Sequence, residues 1–329
     1  MVSRVSLFTR DRSPVPITSP FGYHSTALEV VDGVDLTGRN AFVTGGGSGI
    51  GVETVRALAT AGAQVSVALR TPSQGESLLA TLGVELASKV TLIPMDLADL
   101  ESIRAASAAY VEGGQPLHIL VNNAGVMATP QGLTKQGFEL QFGTNHLGHF
   151  LLTQGLLPAL RASGGARVVA LSSSAHRRSD VDLEDPNFLN RPYDKWVSYG
   201  QSKTANALFA VELTKRYAGD GIYANAVMPG GIMTGLQKHM PLEEQRAAGF
   251  TDEDGNPNPM FKNVEQGAST STWAATGTEL QNIGGLYLEN CQEAGPMDLA
   301  MPFMGVMPYA LDPSHAADVW EMTERLLGA

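Results

Sequence analysis

The sequence predicts an α/β fold, a single doubly wound parallel sheet flanked by helices, on three observations. Short apolar segments that suit buried strands recur along the chain. The first of them is followed by a glycine-rich turn and a helical pattern. The hydrophobic content of 43% over 329 residues is enough for one large core. The predicted strands are residues 40–44, 64–70, 90–95, 119–121, 168–171 and 224–227.

The first strand leads into the clearest binding motif. Residues 45–51 read Gly-Gly-Gly-Ser-Gly-Ile-Gly, and Val52, Val55 and Leu58 then recur at helical spacing. A strand, a glycine-rich turn and a helix N-terminus together cradle a pyrophosphate on backbone N–H groups. A flexible glycine loop without a ligand is the alternative. The spacing Thr44-Gly45-x-x-x-Gly49-Ile50-Gly51 favours the nucleotide site.

The end of the second predicted strand indicates which dinucleotide is bound. An acidic residue there accepts from the ribose 2′-OH of NAD, whereas an arginine suits the 2′-phosphate of NADP. Leu69 stands where the acid is expected, and Arg70 follows it. Arg70 could instead be a solvent-facing residue, but the missing acid is a separate observation. The sequence therefore favours NADP(H) over NAD(H).

A tyrosine and a lysine four residues apart, Tyr199 and Lys203, form the predicted reactive pair. Residues i and i+4 share one face of a helix. We expect the Lys203 ammonium to lower the pKa of Tyr199 from its usual ~10. Such a tyrosine can exchange a proton with a substrate oxygen near neutral pH.

Four motifs in this order resemble the short-chain dehydrogenase/reductase family, over roughly residues 38–235. They are the glycine motif, Asn122-Asn123-Ala124-Gly125 after a strand, a serine run closing a strand, and Tyr199-x-x-x-Lys203. Residues 145–150, 199–206 and 284–287, with Cys291 soon after, are similar to the retinol-dehydrogenase-like branch. The resemblance implies a Rossmann-type fold and a nicotinamide cofactor.

The resemblance also implies the catalytic roles. Ser173 matches the serine that positions the reacting oxygen, with Ser172 and Ser174 as rivals because three serines are consecutive. Tyr199 matches the general acid and base. Lys203 matches the lysine that lowers the tyrosine pKa and contacts the nicotinamide ribose. Asn145 matches the asparagine that holds a water in a proton relay to that lysine.

Cofactor contacts follow from the same resemblance. The glycine loop faces the pyrophosphate, the residue pair after the third strand meets adenine, and the segment after the sixth strand closes over the nicotinamide. Besides Tyr199 and Lys203, the expected contacts are Gly45, Ser48, Gly49, Ile50, Gly51, Arg70, Asp96, Leu97, Asn123, Ile232 and Thr234.

The chain is predicted to contain one domain, residues 37–329, behind an N-terminal extended arm, residues 1–36, with three prolines. Residues 236–265 are polar and rich in proline and glycine, which predicts a C-terminal substrate lid. Ser173 and Tyr199 lie farther apart than in much of the family. Residues 176–196 are therefore expected near the site mouth, either selecting substrate or as a surface insertion without a catalytic part.

Composition excludes several partners. A formal charge of −11 without a basic block argues against nucleic acid and anionic membrane surfaces. No apolar run reaches the ~18 residues of a membrane span, so no membrane anchor is expected. The single cysteine, Cys291, suits a reducing, cytoplasmic location. His146 and His149 lack further ligands at metal spacing, so no metal is predicted and helix-face histidines near the core are favoured.

The predicted function is NADP(H)-dependent interconversion of a carbonyl and an alcohol on a fairly bulky, apolar small molecule. Methionines crowd the C-terminal third, either to shape an apolar pocket or to fill gaps in the core. Reduction of a C=C bond is the alternative chemistry. A nucleotide sensor or scaffold without turnover is the alternative from another class. Small residues at 205, 207 and 210 permit close packing of a homodimer.

Overall fold

A computed structural model describes residues 15–298 and 303–328. One eight-stranded sheet forms its centre, in the order β3-β2-β1-β4-β5-β6-β7-β8. Neighbouring strands are parallel except for β7 and β8, which are antiparallel. The strands are β1 (Asn40–Thr44), β2 (Gln64–Leu69), β3 (Val90–Pro94), β4 (Ile119–Asn122), β5 (Ala166–Leu171), β6 (Ile222–Met228), β7 (Tyr287–Glu289) and β8 (Gln292–Glu293).

Helices cover both faces of this sheet, which confirms the predicted fold class. They are α1 (Ala27–Val30), α2 (Ile50–Thr60), α3 (Pro72–Ala87), α4 (Leu100–Glu112), α5 (Leu140–Phe142), α6 (Gly148–Ala162), α7 (Lys195–Tyr217), α8 (Leu242–Ala247), α9 (Val264–Gly267), α10 (Ser269–Thr276) and α11 (Pro313–Leu327). In the described part of the chain, no helix is both long and apolar enough to cross a bilayer.

Aspartate caps fix where three of the longer helices begin. Asp99 accepts a hydrogen bond from the Glu101 N–H at the start of α4. Asp194 caps α7, the helix that carries Tyr199 and Lys203. Asp312 caps α11, whose first residue is a proline. A carboxylate at this position satisfies N–H groups that have no partner inside the helix, and it interacts favourably with the helix dipole.

Two apolar layers sandwich the sheet, because successive strand residues point to opposite faces. In β1, Phe42 packs into the layer under α4, α6, α7 and α11. Ala41 and Val43 pack into the opposite layer, under α1, α2, α3 and α10. The strands are thus buried on both faces, as expected for a parallel sheet.

The C-terminal helix α11 packs on α6 and α7. The Trp320 ring stacks on Phe209 at 5.9 Å and meets Phe150 edge-on at 4.6 Å. His146 hydrogen-bonds Thr323 of α11 through Nε2 at 2.9 Å. The small residues proposed to permit a homodimer are all inside this core and fully buried in the single chain, so they do not form a surface for a second copy: Ala205, Ala207 and Ala210.

Residues 15–36, part of the expected extended arm, pack on the domain and include the short helix α1. Ala27 and Val30 are buried among the residues of the second apolar layer. The Ser19 hydroxyl donates to the Cys291 carbonyl at 2.7 Å, next to an antiparallel bridge between Thr18 and Gln292. The rest of the arm, residues 1–14, lies outside the described residues.

Candidate active site

A cleft of about 560 Å³ opens at the carboxyl ends of the strands, where the strand order reverses between β1 and β4. Open α/β sheets bind ligands at this point. Most of the predicted site residues line it. They are Gly45, Ser48, Gly49, Ile50, Arg70, Asp96, Leu97, Asn123, Ser173, Tyr199, Ile232 and Thr234.

Gly51, Asn145 and Lys203 lie behind this lining instead. Gly51 is where α2 crosses the end of β1. A Cβ at this position would lie 2.3 Å from the Gly45 carbonyl oxygen and 2.8 Å from Nδ2 of Asn123. The absence of a side chain therefore lets α2 approach the strand, and Gly51 contributes to packing rather than to the cleft surface.

The start of α2 fits a phosphate group. Its N-cap, Gly49, has a φ of 55° and no side chain to bond the free N–H groups of the first turn. Both Gly49 and Ile50 line the cleft. Thr234, from the segment after β6, packs over the turn, since a Cβ on Gly49 would lie 3.2 Å from its Cγ2. Uncapped N–H groups and the positive end of the helix dipole favour an anion here.

The Thr44 hydroxyl joins three segments below the glycine turn. It accepts hydrogen bonds from the N–H groups of Asn123 and Ala124, at 2.9 and 3.0 Å, and contacts Nε2 of His149 at 2.8 Å. Nδ1 of His149 lies 2.9 Å from the Asn145 carbonyl, which can only accept, so Nδ1 carries the proton and Nε2 accepts from Thr44. Burial lowers the pKa of His149 to about 4, which keeps the ring neutral.

This role of His149 is absent from the sequence prediction, which expected only a helix-face histidine near the core. The position is buried, as expected, but the side chain links β1 to the segment that carries Asn145. Thr44 and His149 are 105 residues apart. Residues so far apart in the chain share no local motif that would predict this contact.

Asn145 lies in a π-helical turn, Gly143–Leu147, between α5 and α6. Its amide donates to the Val126 carbonyl at 2.9 Å and to the Ser202 hydroxyl at 3.0 Å, and its Oδ1 accepts from the Val126 N–H at 2.8 Å. A Cβ on Gly125 would lie 3.1 Å from this Oδ1 and 3.6 Å from Nζ of Lys203. The amide and the ammonium therefore face the cleft through the gap left by Gly125.

All three consecutive serines line the cleft, and the structure gives Ser172 and Ser173 different partners. The Ser172 hydroxyl donates to the Lys203 carbonyl at 2.7 Å, inside the protein. The Ser173 hydroxyl accepts from the Ala175 N–H at 3.1 Å, and it is the side chain that lowers the pKa of Tyr199 against the effect of burial. Ser173 is thus the serine whose hydroxyl acts on Tyr199, and its catalytic role stays a prediction from the family pattern.

The expected effect of Lys203 on Tyr199 is not what the structure shows. Burial raises the pKa of Tyr199 to about 12, although the Ser173 hydroxyl lowers it. Burial also lowers the pKa of Lys203 to about 8, and Nζ donates to the Leu171 carbonyl at 3.1 Å. Nζ lies 5.5 Å from the Tyr199 ring centre. The expectation is corrected because desolvation disfavours both charged forms and outweighs the attraction between them.

The far end of the cleft, at β2 and β3, has the features expected for an adenosine moiety. Arg70 is exposed directly after β2, and Leu69 is buried where an acid would stand in an NAD site. Asp96 lines the cleft, and its Oδ1 accepts from the Ala98 N–H at 2.9 Å. The Thr144 hydroxyl, not predicted, also lies at the cleft and has no hydrogen-bond partner among the described residues.

Aromatic side chains surround Tyr199 at the other end. Trp196 meets the Tyr199 and Phe250 rings edge-on, each at 6.5 Å, and Phe250 meets Phe261 at 5.4 Å. Glu244 in α8, within the predicted lid, accepts from Lys195 Nζ at 2.6 Å and from Trp196 Nε1 at 3.0 Å. The lid is thus attached to the start of α7. Trp196 and Phe250 belong to the two segments expected near the substrate, residues 176–196 and 236–265, but neither residue was singled out from the sequence.

His176 begins the segment expected at the site mouth, but its side chain is fully buried and does not line the cleft. Nδ1 donates to the Ser173 carbonyl at 2.7 Å, and Nε2 accepts from the Met307 N–H at 3.0 Å. The Tyr309 hydroxyl donates to the His176 carbonyl at 2.8 Å. His176 therefore fixes the turn that carries Ser173.

The sheet order and the glycine turn define a doubly wound dinucleotide-binding protein. The family model for short chain dehydrogenase matches residues 39–245. The chain therefore belongs to the short-chain dehydrogenase/reductase family, whose members are oxidoreductases that use nicotinamide cofactors.

Two similar proteins agree with this assignment, and a similar solved structure shares the fold. A Streptomyces lividans protein named "Probable oxidoreductase" is 47% identical over 90% of this chain and 100% of its own length. Human retinol dehydrogenase 13 is 37% identical over 89% of this chain and 86% of its own length, which supports the retinol-dehydrogenase-like branch. The crystal structure of an uncharacterized protein from Mycobacterium Paratuberculosis is 32% identical, covers 93% of this chain and 98% of its own, and has a TM-score of 0.71.

Proposed function

We propose that this protein is an NADP(H)-dependent oxidoreductase that interconverts a carbonyl and an alcohol on a fairly bulky, apolar substrate. The observation that carries the proposal is that Ser173 and Tyr199 line the same end of one cleft, where the Ser173 hydroxyl acts on the Tyr199 side chain. Lys203 lies directly behind the pair, and the uncapped N-terminus of α2 lies farther along the same cleft. A proton donor and a dinucleotide site thus share one cavity.

The residues at the adenosine end fit NADP(H). Arg70 supplies a cation at the end of β2, and no acid stands beside it to repel a 2′-phosphate. The glycine turn and the N-terminus of α2 suit the pyrophosphate, and Asp96, Leu97 and the free Thr144 hydroxyl suit the adenosine. When bound, the cofactor supplies or accepts the hydride, while the protein orients it and moves the proton.

Tyr199 holds the proton that the reaction needs. With a pKa of about 12 it is protonated at neutral pH, so it can donate to the substrate oxygen in reduction and take the proton back in oxidation. Ser173 donates a hydrogen bond to the same oxygen and stabilises charge that develops there. Lys203 is positively charged below pH about 8, and with Asn145 it lies where a water-mediated relay can resupply the proton.

The walls around Tyr199 support an apolar, bulky substrate. Tyr199 packs in an apolar cluster with Met127, Ala128 and Met240. The rings of Trp196 and Phe250 pack against this cluster. The described methionines that line the cleft are Met95 and Met127, outside the C-terminal third. Aromatic rings, rather than a set of C-terminal methionines, therefore shape the apolar surface. The buried thiol of Cys291 is compatible with the proposed cytoplasmic location.

Cofactor titration combined with a substrate panel tests the proposal. NADPH and NADH are titrated into the purified protein by nicotinamide fluorescence, and NADPH consumption is then followed with bulky ketones, their alcohols in reverse, and matched enones. We expect tighter binding of NADPH than of NADH, and alcohol products from ketones. Saturated ketones formed from the enones would instead indicate C=C reduction. Cofactor binding without turnover of any substrate would favour the sensor or scaffold alternative.

A further inference from the structure

The substrate end of the cleft is positively charged, although the protein carries a net charge of −11. Arg177, Arg178 and Lys238 line the same cavity as Tyr199. Among the described lining residues the one carboxylate is Asp96. It follows β3, which three strands separate from β5 and the serines that follow β5. Among the described residues that line the cavity, the basic side chains thus outnumber the acidic ones at the substrate end.

Arg178 is the clearest example of a positively charged side chain at this end of the cleft. Its guanidinium lies 5.2 Å from the ring centre of Trp196. Among the described residues no carboxylate forms an ion pair with it. Two carboxylates in neighbouring segments are already engaged: Glu244 with Lys195 and Trp196, and Asp180 with His315 at 2.7 Å. An arginine on an aromatic face keeps its N–H donors free for an anion.

Arg177 adds a second positive charge beside Arg178. Its guanidinium lies 5.9 Å from the ring centre of Phe303, which also lines the cleft. Burial, and to a smaller extent the neighbouring Arg178, lowers the pKa of Arg177. Two adjacent guanidiniums at an apolar cavity repel each other, and an anionic group bound between them and the solvent would offset this repulsion.

The turn that carries these arginines also positions the reacting groups. Ser173 caps the 3₁₀ turn Ser174–Arg178, and buried His176 bonds the Ser173 carbonyl and the Met307 N–H. Trp196, under Arg178, meets the Tyr199 ring edge-on. The backbone of Arg178 is thus positioned relative to Ser173, while its exposed side chain lies over Trp196. A substrate with an apolar spacer between its anionic group and its carbonyl suits this arrangement.

We infer that the substrate of this enzyme carries a carboxylate, which binds the Arg178 guanidinium with Arg177 beside it, while the apolar body lies against Trp196 and Phe250. The inference rests on the proposed function and narrows its substrate class to apolar ketones or alcohols with an acidic group. It makes Arg178 a specificity residue and leaves Arg70, at the opposite end, for the cofactor phosphate.

The test uses aryl keto acids and their neutral methyl esters, which share one carbonyl and one ring system. Suitable pairs are 4-acetylbenzoate and 3-benzoylbenzoate with their esters. Their affinity for the NADPH complex of Tyr199→Phe is measured by nicotinamide fluorescence, so that binding is read without turnover. We expect the acid of at least one pair to bind at least tenfold more tightly than its ester. We expect Arg178→Gln to reduce this preference roughly tenfold to a hundredfold, the loss of a charged hydrogen bond.

Arg178→Lys is the matched control, because it keeps the charge and should keep part of the acid preference. The affinity for NADPH should be the same in all Arg178 variants. Equal binding of acid and ester, no binding of any acid, or an Arg178→Gln variant that loses NADPH instead would overturn the inference. Turnover by the unmodified enzyme is scored separately. Turnover of esters and acids alike leaves the proposed function intact, whereas acid-selective binding without turnover rejects that function alone.

Discussion

The half of the cleft proposed for the cofactor and the half proposed for the substrate are built in different ways. In the cofactor half, the glycine turn, the start of α2 and the Asn123 backbone form the wall, and Thr44 and His149 support them from below. In the substrate half, the wall consists of large side chains from the Ser174–Arg178 turn, the start of α7, the lid and Phe303.

This difference separates cofactor binding, in one half of the cleft, from substrate selection, in the other half. Backbone groups at strand ends are fixed by the sheet, so the cofactor half can be the same for any substrate. Side chains on loops and helix ends can change without disturbing the core, so the substrate half can set specificity. The following changes test whether the two halves behave independently.

Tyr199→Phe should have the largest effect and should act only on chemistry. It removes the proton donor and leaves the ring, so we expect turnover to fall roughly a hundredfold to ten-thousandfold, with NADPH affinity retained. Tyr223→Phe, a matched change on strand β6, should leave both quantities unchanged. Steady-state rates and cofactor titration measure the two effects. Near-normal turnover would show that another group donates the proton.

Arg70→Glu should act only on the cofactor half. It places a negative charge beside the 2′-phosphate, and we expect affinity for NADPH to fall about tenfold to a hundredfold while affinity for NADH changes little. Arg104→Glu, in helix α4, is a charge-matched control. An unchanged ratio of NADPH to NADH affinity would mean that a different residue recognises the phosphate.

Gly51→Ala should show that the glycine turn depends on close packing. The new Cβ would lie 2.3 Å from the Gly45 carbonyl, so the free energy of unfolding should decrease by about 1–3 kcal/mol. Gly219→Ala is the control, since a Cβ there has no neighbour within 4 Å and its φ is not positive. Urea unfolding measures the difference. Equal stability of the two variants would contradict this geometry.

The pH dependence of kcat/KM should follow the ionisation of the buried Lys203 ammonium, which both halves of the cleft share. Because burial lowers the pKa of Lys203 to about 8, the side chain is charged below that pH and neutral above it. We expect kcat/KM for NADPH, which reflects the free enzyme, to be level below pH about 8 and to fall by up to tenfold per pH unit above it. In Lys203→Arg the fall should move to higher pH. A fall at the same pH in both proteins would assign it to another group.

Glu244→Gln should have the smallest effect, confined to the substrate half. It weakens the contacts that connect the lid to Lys195 and Trp196. These groups are partly exposed, so we expect the substrate KM to rise only about twofold to fivefold, with NADPH affinity unchanged. Glu243→Gln, one residue away, is the control. A comparable loss of NADPH affinity in Glu244→Gln would show that the lid also controls the cofactor half.

The sheet architecture and the family could be predicted from the amino-acid sequence, and most of the residues predicted to contact the cofactor do line one cleft. These features depend on residues that are close in the chain: a glycine spacing after a strand, a missing acid at Leu69, and a tyrosine four residues before a lysine. Local spacing fixes local backbone geometry, and the doubly wound topology then brings strand ends together.

The effect of Ser173 on Tyr199, the shift that burial causes in the pKa of Tyr199 and of Lys203, and the side chains around Tyr199 could be obtained only from the tertiary structure. Burial results from the packing of the whole chain, and the Thr44–His149 contact and the Arg178–Trp196 contact join segments with no local signature. The same packing placed α11 over α6 and α7 and removed the small residues of α7 from the surface. Distances between remote residues are set by the fold, so a linear motif cannot supply them.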